Sequence, residues 1–148
     1  MPPAADQRAT LPAIRRPAAL AELPEMLAAL RDTAAGLPFS DERRSELELA
    51  VEEALVNICS HAYPQGPGWV ELACSLAPEG LIVTIEDEGR PFSLPDAAAA
   101  NLSADIDERP VGGLGILLVR SLTDAVRYHR EDGRNRLELV FALPTIAP

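Results

Sequence analysis

Leucine and alanine recur at helical spacing between Pro17 and Leu37, with Leu20, Leu23, Leu27 and Leu30 on one stripe. The pattern predicts an amphipathic helix that Gly36 and Pro38 bring to an end. A second helical run opens at Ser40, a good N-cap type, with Asp41 and Glu42 in the first turn, where the helix dipole favours acids. On it Leu47, Val51, Ala54 and Ile58 form a stripe suited to packing on a sheet, and Pro64, Gly66 and Pro67 stop it. The period then changes to two. In GWVELACSLAP, Val70, Leu72 and Cys74 face away from Glu71, Ala73 and Ser75; GLIVTIEDEG follows the turn signal Pro78-Glu79-Gly80, which predicts an antiparallel hairpin. A helix begins directly after the glycines of GGLGILLVRSLTDAV, and AVRYHRE, the turn Asp132-Gly133 and NRLELVFALP make a second hairpin. Ahead of all this, TLPAIRR reads as a short edge strand, since Pro12 bars it from a sheet centre.

The order strand, helix, helix, hairpin, loop, helix, hairpin predicts an α+β fold. It is a two-layer sandwich with a mixed, mostly antiparallel sheet covered by helices on one face. The length of 148 residues suits a single domain over 9–148 behind a loose arm at 1–8. A stretch rich in Pro, Gly, Ala and Asp, about 92–112, is too long for an ordinary connector and reads as a lid or binding loop, or as a plain surface loop.

Charge narrows the range of partners. Thirteen Lys and Arg against twenty-three Asp and Glu leave a net −10, which argues against nucleic acid and against an anionic membrane surface. No apolar run approaches the ~20 residues of a membrane span, and the N-terminus lacks the order of a signal peptide, so a cytoplasmic location is expected. Cys59 and Cys74 are not in a C-x-x-C spacing and read as reduced, buried thiols.

Three segments carry candidate chemistry. Glu53 and Asn57 lie at i and i+4, so both project from one helix face, apart from the packing stripe. An amide oxygen suits a hard cation and a carboxylate can take a proton, although a Glu–Asn pair on a solvated face fits the same spacing. Asp87-Glu88-Gly89-Arg90-Pro91 ends a strand with an acid that can accept from an exocyclic amine and a glycine that lets a flat base approach. The same residue types also build ordinary turns. Gly113 and Gly115, around Leu114, come immediately before a helix and leave its first N–H groups free for an anion, without the spacing of a Walker or Rossmann loop.

Taken in order, E-x-x-x-N, D-x-G and G-x-G resemble the nucleotide site of the GHKL ATPases, the Bergerat or histidine-kinase-like fold. AVEEALVNICSHAYP, DEGRPF and GGLGILLVRSLTDAVRY look most like the anti-sigma-factor serine/threonine kinases of the RsbW and SpoIIAB type. The resemblance runs from about Pro17 to Leu143. It implies Glu53 as general base, Asn57 as Mg²⁺ ligand, Asp87 on the adenine amino group and Gly89 giving the base room. Gly113, Leu114 and Gly115 would hold ATP phosphates, with the lid at about 92–112. The first glycine box reads D-x-G-x-P where many members have D-x-G-x-G. The implied function is a protein-serine kinase that binds a sigma factor and phosphorylates an anti-anti-sigma (STAS) protein, commonly as a homodimer. The alternative is a nucleotide-binding module that controls a partner without phosphorylating it.

Overall fold

The computed structural model describes residues 11–91 and 112–144. The arm expected at 1–8 and nearly all of the lid expected at 92–112 lie outside the described residues. Strand β1 (Leu11–Pro17) leads through a 3₁₀ turn (Leu20–Glu22) into helices α1 (Leu23–Ala35) and α2 (Asp41–His61). Strands β2 (Trp69–Ala77) and β3 (Gly80–Asp87) follow, then helix α3 (Gly112–Leu122) and strands β4 (Ala125–Glu131) and β5 (Arg134–Phe141).

The first helix is shorter than its hydrophobic pattern. Pro17 belongs to β1, opposite Trp69, and α1 starts only at Leu23. Pro24 sits in its first turn, where a missing N–H costs nothing. Leu23, Leu27 and Leu30 are buried as the stripe requires, but Leu20 stands in the 3₁₀ turn, out of register, and is 56% exposed. The second helix opens as expected, with the Ser40 hydroxyl accepting from the Arg43 N–H at 3.0 Å.

The sheet order is β1-β2-β3-β5-β4 and each neighbouring pair is antiparallel. The mixed sheet expected from sequence is therefore not found among the described strands. β3 and β4, joined across α3, do run in the same direction. β5 doubles back from β4 and inserts between them, so no two parallel strands touch. The β4–β5 turn places Asp132 at φ 55° and Gly133 at φ 78°, the left-handed pair a tight two-residue hairpin needs.

Inward positions of the strands (Leu72, Leu81, Ile85, Leu139) meet Met26, Leu30, Leu47 and Leu55 from α1 and α2 in one core. The opposite face carries charge in register: Arg15 bonds Glu71 at 3.0 Å, and Arg134 and Arg136 approach Glu86 at 3.6 and 3.5 Å. Such exposed pairs add little stability, but they explain why helices cover only one side. Both cysteines are free; desolvation pushes the Cys74 thiol up to about 12 and that of half-buried Cys59 to about 11. No helix among the described residues is long and apolar enough to cross a membrane.

Candidate functional site

On α2 the packing stripe Leu47, Val51, Ala54 and Ile58 is buried, which turns the neighbouring face, with Glu53 and Asn57, away from the sheet. Asn57 is only 8% exposed, and Glu53 is half-buried. Among the described residues neither side chain has a hydrogen-bond or ion-pair partner. A mostly buried amide beside a half-buried carboxylate on one helix face is a donor set that a ligand can use.

Asp87 ends β3 on the helix-facing side, 2% exposed. Its Oδ1 accepts from the Gly89 N–H at 2.7 Å and from Asn135 Nδ2 at 2.8 Å. Oδ2 has no donor among the described residues. Burial pushes the carboxyl above the usual aspartate range, while Asn135, the Gly89 amide and the positive charge of Arg130 pull it back. The Arg90 N–H donates to the Ala62 carbonyl at 2.9 Å, hooking the D-x-G segment onto the end of α2. A Cβ on Gly89 would stand 2.4 Å from that same oxygen. Gly89 therefore has a close backbone crossing at the end of α2 that leaves no room for a side chain.

Tyr63 completes the hook. Its hydroxyl donates to the Trp69 carbonyl at 2.5 Å and accepts from the Glu88 N–H at 2.7 Å, and desolvation raises its pKa. Trp69 Nε1 in turn donates to Glu88 at 3.0 Å, and Arg15 stacks 3.7 Å over the indole ring.

The glycines lie within the first turn of α3, which begins at Gly112, rather than ahead of it. Gly113 and Leu114 therefore contribute N–H groups that have no partner within the helix, while the Gly115 N–H is the first to bond inside it. Helix α3 packs against α2, and its far end is pinned by Arg43, which donates to the Leu122 carbonyl and to Asp124, both at 2.6 Å. Since the end of α3 lies at the start of α2, the helices run antiparallel. Eleven residues span about 16 Å at the α-helical rise, so α3 is long enough to run beside much of α2. Ala62, where the D-x-G segment docks, lies about 7 Å beyond Asn57 along the same axis. Helix α2 thus carries Glu53 and Asn57, receives the D-x-G segment at its end and packs against α3.

Sequence reasoning missed Asn135, Tyr128, Arg130 and Tyr63. Asn135 Nδ2 also reaches the Gly89 and Arg90 carbonyls at 3.3 and 3.0 Å, and its Oδ1 accepts from Tyr128 at 2.5 Å and Arg130 at 2.8 Å. A signal for Asn135 was present: it is the single amide on the inward register that continues with Leu137, Leu139 and Phe141.

A family model of the histidine kinase-like ATPase domain matches residues 16–141. The serine/threonine-protein kinase BtrW of Bordetella bronchiseptica is 34% identical over 112 residues, covering 75% of each chain. The serine-protein kinase RsbW of Bacillus cereus is 26% identical, covering 74% of this chain and 73% of its own. Among solved structures, the RsbU and RsbW domains of a Mycobacterium tuberculosis protein superpose with a TM-score of 0.62 at 17% identity over 92% of this chain, which spans 34% of that one. A histidine kinase domain of a blue-light activated kinase from Erythrobacter litoralis gives 0.53 at 21% identity, covering 82% of this chain and 61% of its own. The chain belongs to the histidine kinase-like ATPase domain family of the GHKL superfamily, in the group of the anti-sigma-factor kinases RsbW and BtrW.

Proposed function

We propose that the protein is an ATP-dependent protein-serine kinase and anti-sigma factor. It binds a sigma factor and transfers the γ-phosphate of ATP to a Ser or Thr of an anti-anti-sigma (STAS) partner. The observation that supports this reading is a half-buried Glu53 and a buried Asn57 on one face of α2, with the segment of buried Asp87 hooked to the end of that helix and α3 packed against it. Asp87 Oδ2 accepts from the adenine amino group. The N–H groups of Gly113 and Leu114 receive phosphate oxygens at the positive end of α3. Glu53 takes the proton of the attacking hydroxyl as its oxygen bonds to the γ-phosphorus and ADP leaves.

The residues fit Mg²⁺. Asn57 offers a buried amide oxygen, and Mg²⁺ takes few protein ligands, completing its shell with water and substrate phosphates. When bound, the ion offsets triphosphate charge in a protein that is itself strongly acidic. The segment at about 92–112 is assigned as the ATP lid, and a homodimer is the expected assembly.

The test is incubation with γ-labelled ATP and the STAS-type partner. Label is expected on a Ser or Thr of that partner. In Glu53→Ala it should vanish while ATP still binds. Wild-type binding without label would leave a nucleotide-dependent regulatory module in place of the kinase.

A further inference from the structure

We propose that Asn135 is the positioning residue that makes Asp87 an acceptor-only group, and so sets the preference of this site for a 6-amino over a 6-oxo purine. The inference rests on the nucleotide reading above. Asp87, Asn135 and Arg130 form one row across β3, β5 and β4: Asp87 is the register partner of Asn135, and Asn135 of Arg130. The orientation of the Asn135 amide is not free. Arg130 Nη1 can only donate, and it lies 2.8 Å from the amide oxygen, which the Tyr128 hydroxyl also engages. The amide nitrogen must therefore face Asp87, where it and the Gly89 N–H occupy Oδ1. Burial favours the neutral acid, and these two hydrogen bonds on one oxygen oppose it by favouring the ionised form, in which the second oxygen is a pure acceptor.

The other groups around Asp87 do not supply a competing proton. Tyr63, from the end of α2, spends its hydroxyl on the Trp69 carbonyl. Glu88, next along the chain, is exposed and bonds Trp69. Arg130, from β4, favours the anion and also donates to the Gly89 carbonyl at 3.0 Å. An ionised Asp87 attracts the amino group of adenine and repels the carbonyl oxygen of hypoxanthine. A protonated Asp87 donates to that oxygen and loses its advantage with adenine. Base choice is thus a readout of the protonation that Asn135 controls.

The variant Asn135→Asp keeps the shape and still offers an acceptor to Tyr128 and Arg130, but it faces Asp87 with a second carboxylate. The pair then holds a proton into the neutral range. Calorimetry of Mg·ATP and Mg·ITP across neutral pH reads the result. The wild type should prefer ATP by a pH-independent ratio. In Asn135→Asp that ratio should fall by roughly tenfold or more, the scale of a hydrogen bond to a charged group, and should recover as pH rises. Tyr128→Phe removes one of the two donors that hold the amide and should shift the ratio the same way by less; it decides the matter if Asn135→Asp does not fold. A ratio unchanged in the variants, or both nucleotides weakened equally, overturns the inference while the nucleotide site stands. A wild type that binds neither overturns the nucleotide reading and this inference with it.

Discussion

At Asp87 stability and function oppose each other. Burial raises its pKa, so its contribution to stability is fullest below the ordinary aspartate range and is lost as pH rises through the raised value. At neutral pH the folded protein therefore carries the cost of an ionised, buried carboxylate. Replacing it with Asn keeps an oxygen for the Gly89 amide and removes the charge. Asp87→Asn is expected to melt no lower than wild type at pH 7, and its relative gain should shrink on acidification. Calorimetry should meanwhile find its ATP binding lost; a variant that melts lower and still binds ATP contradicts both halves. Two residues on, Gly89→Ala sets a Cβ 2.4 Å from the Ala62 carbonyl. Backbone cannot yield there cheaply, so a loss of about 1–3 kcal/mol in urea unfolding is expected, as in other overpacked sites, together with weakened nucleotide binding.

Among the elements, α3 shows how a remote contact sets a site. The helix is held by packing on α2 and, at the end away from its glycines, by the Arg43 clasp, where Arg43 also lies 2.8 Å from Glu46. Arg43 is 22% exposed and Asp124 is 48% exposed, so solvent screens part of this interaction. Arg43→Met should cost about 1 kcal/mol. Because the clasp fixes the tilt of α3, ATP affinity should drop as well; an unchanged affinity would show that packing alone aims the helix.

For the molecule as a whole, nucleotide and fold are coupled. Mg·ATP at a hundred times its dissociation constant should add ~2.7 kcal/mol to unfolding. Trp69 is the one tryptophan of the chain, and its indole N–H holds Glu88 beside Asp87. Its fluorescence should therefore report the same titration, with a midpoint matching calorimetry. A midpoint unrelated to the calorimetric value would separate the Trp69–Glu88 contact from the site.

Much of this architecture is written in local patterns. The Ser40 cap, the buried stripe of α2, the alternation of β2 and β3 and the Asp132-Gly133 turn depend on near neighbours in the chain, so sequence alone determined them. The motif residues Glu53, Asn57, Asp87 and Gly89 could be named for the same reason: each sits in a short spacing with a chemical meaning. What only the tertiary structure decided are relations across distant positions. The pattern could not say that α1 waits until Leu23, because Pro17 is claimed by pairing with Trp69. Nor could it say that β5 inserts between β3 and β4 and so leaves the sheet wholly antiparallel among the described strands. That insertion also brings Asn135 against Asp87. A hydrogen bond between residues so far apart in the chain exists only because the sheet puts them in register, and no local spacing records it.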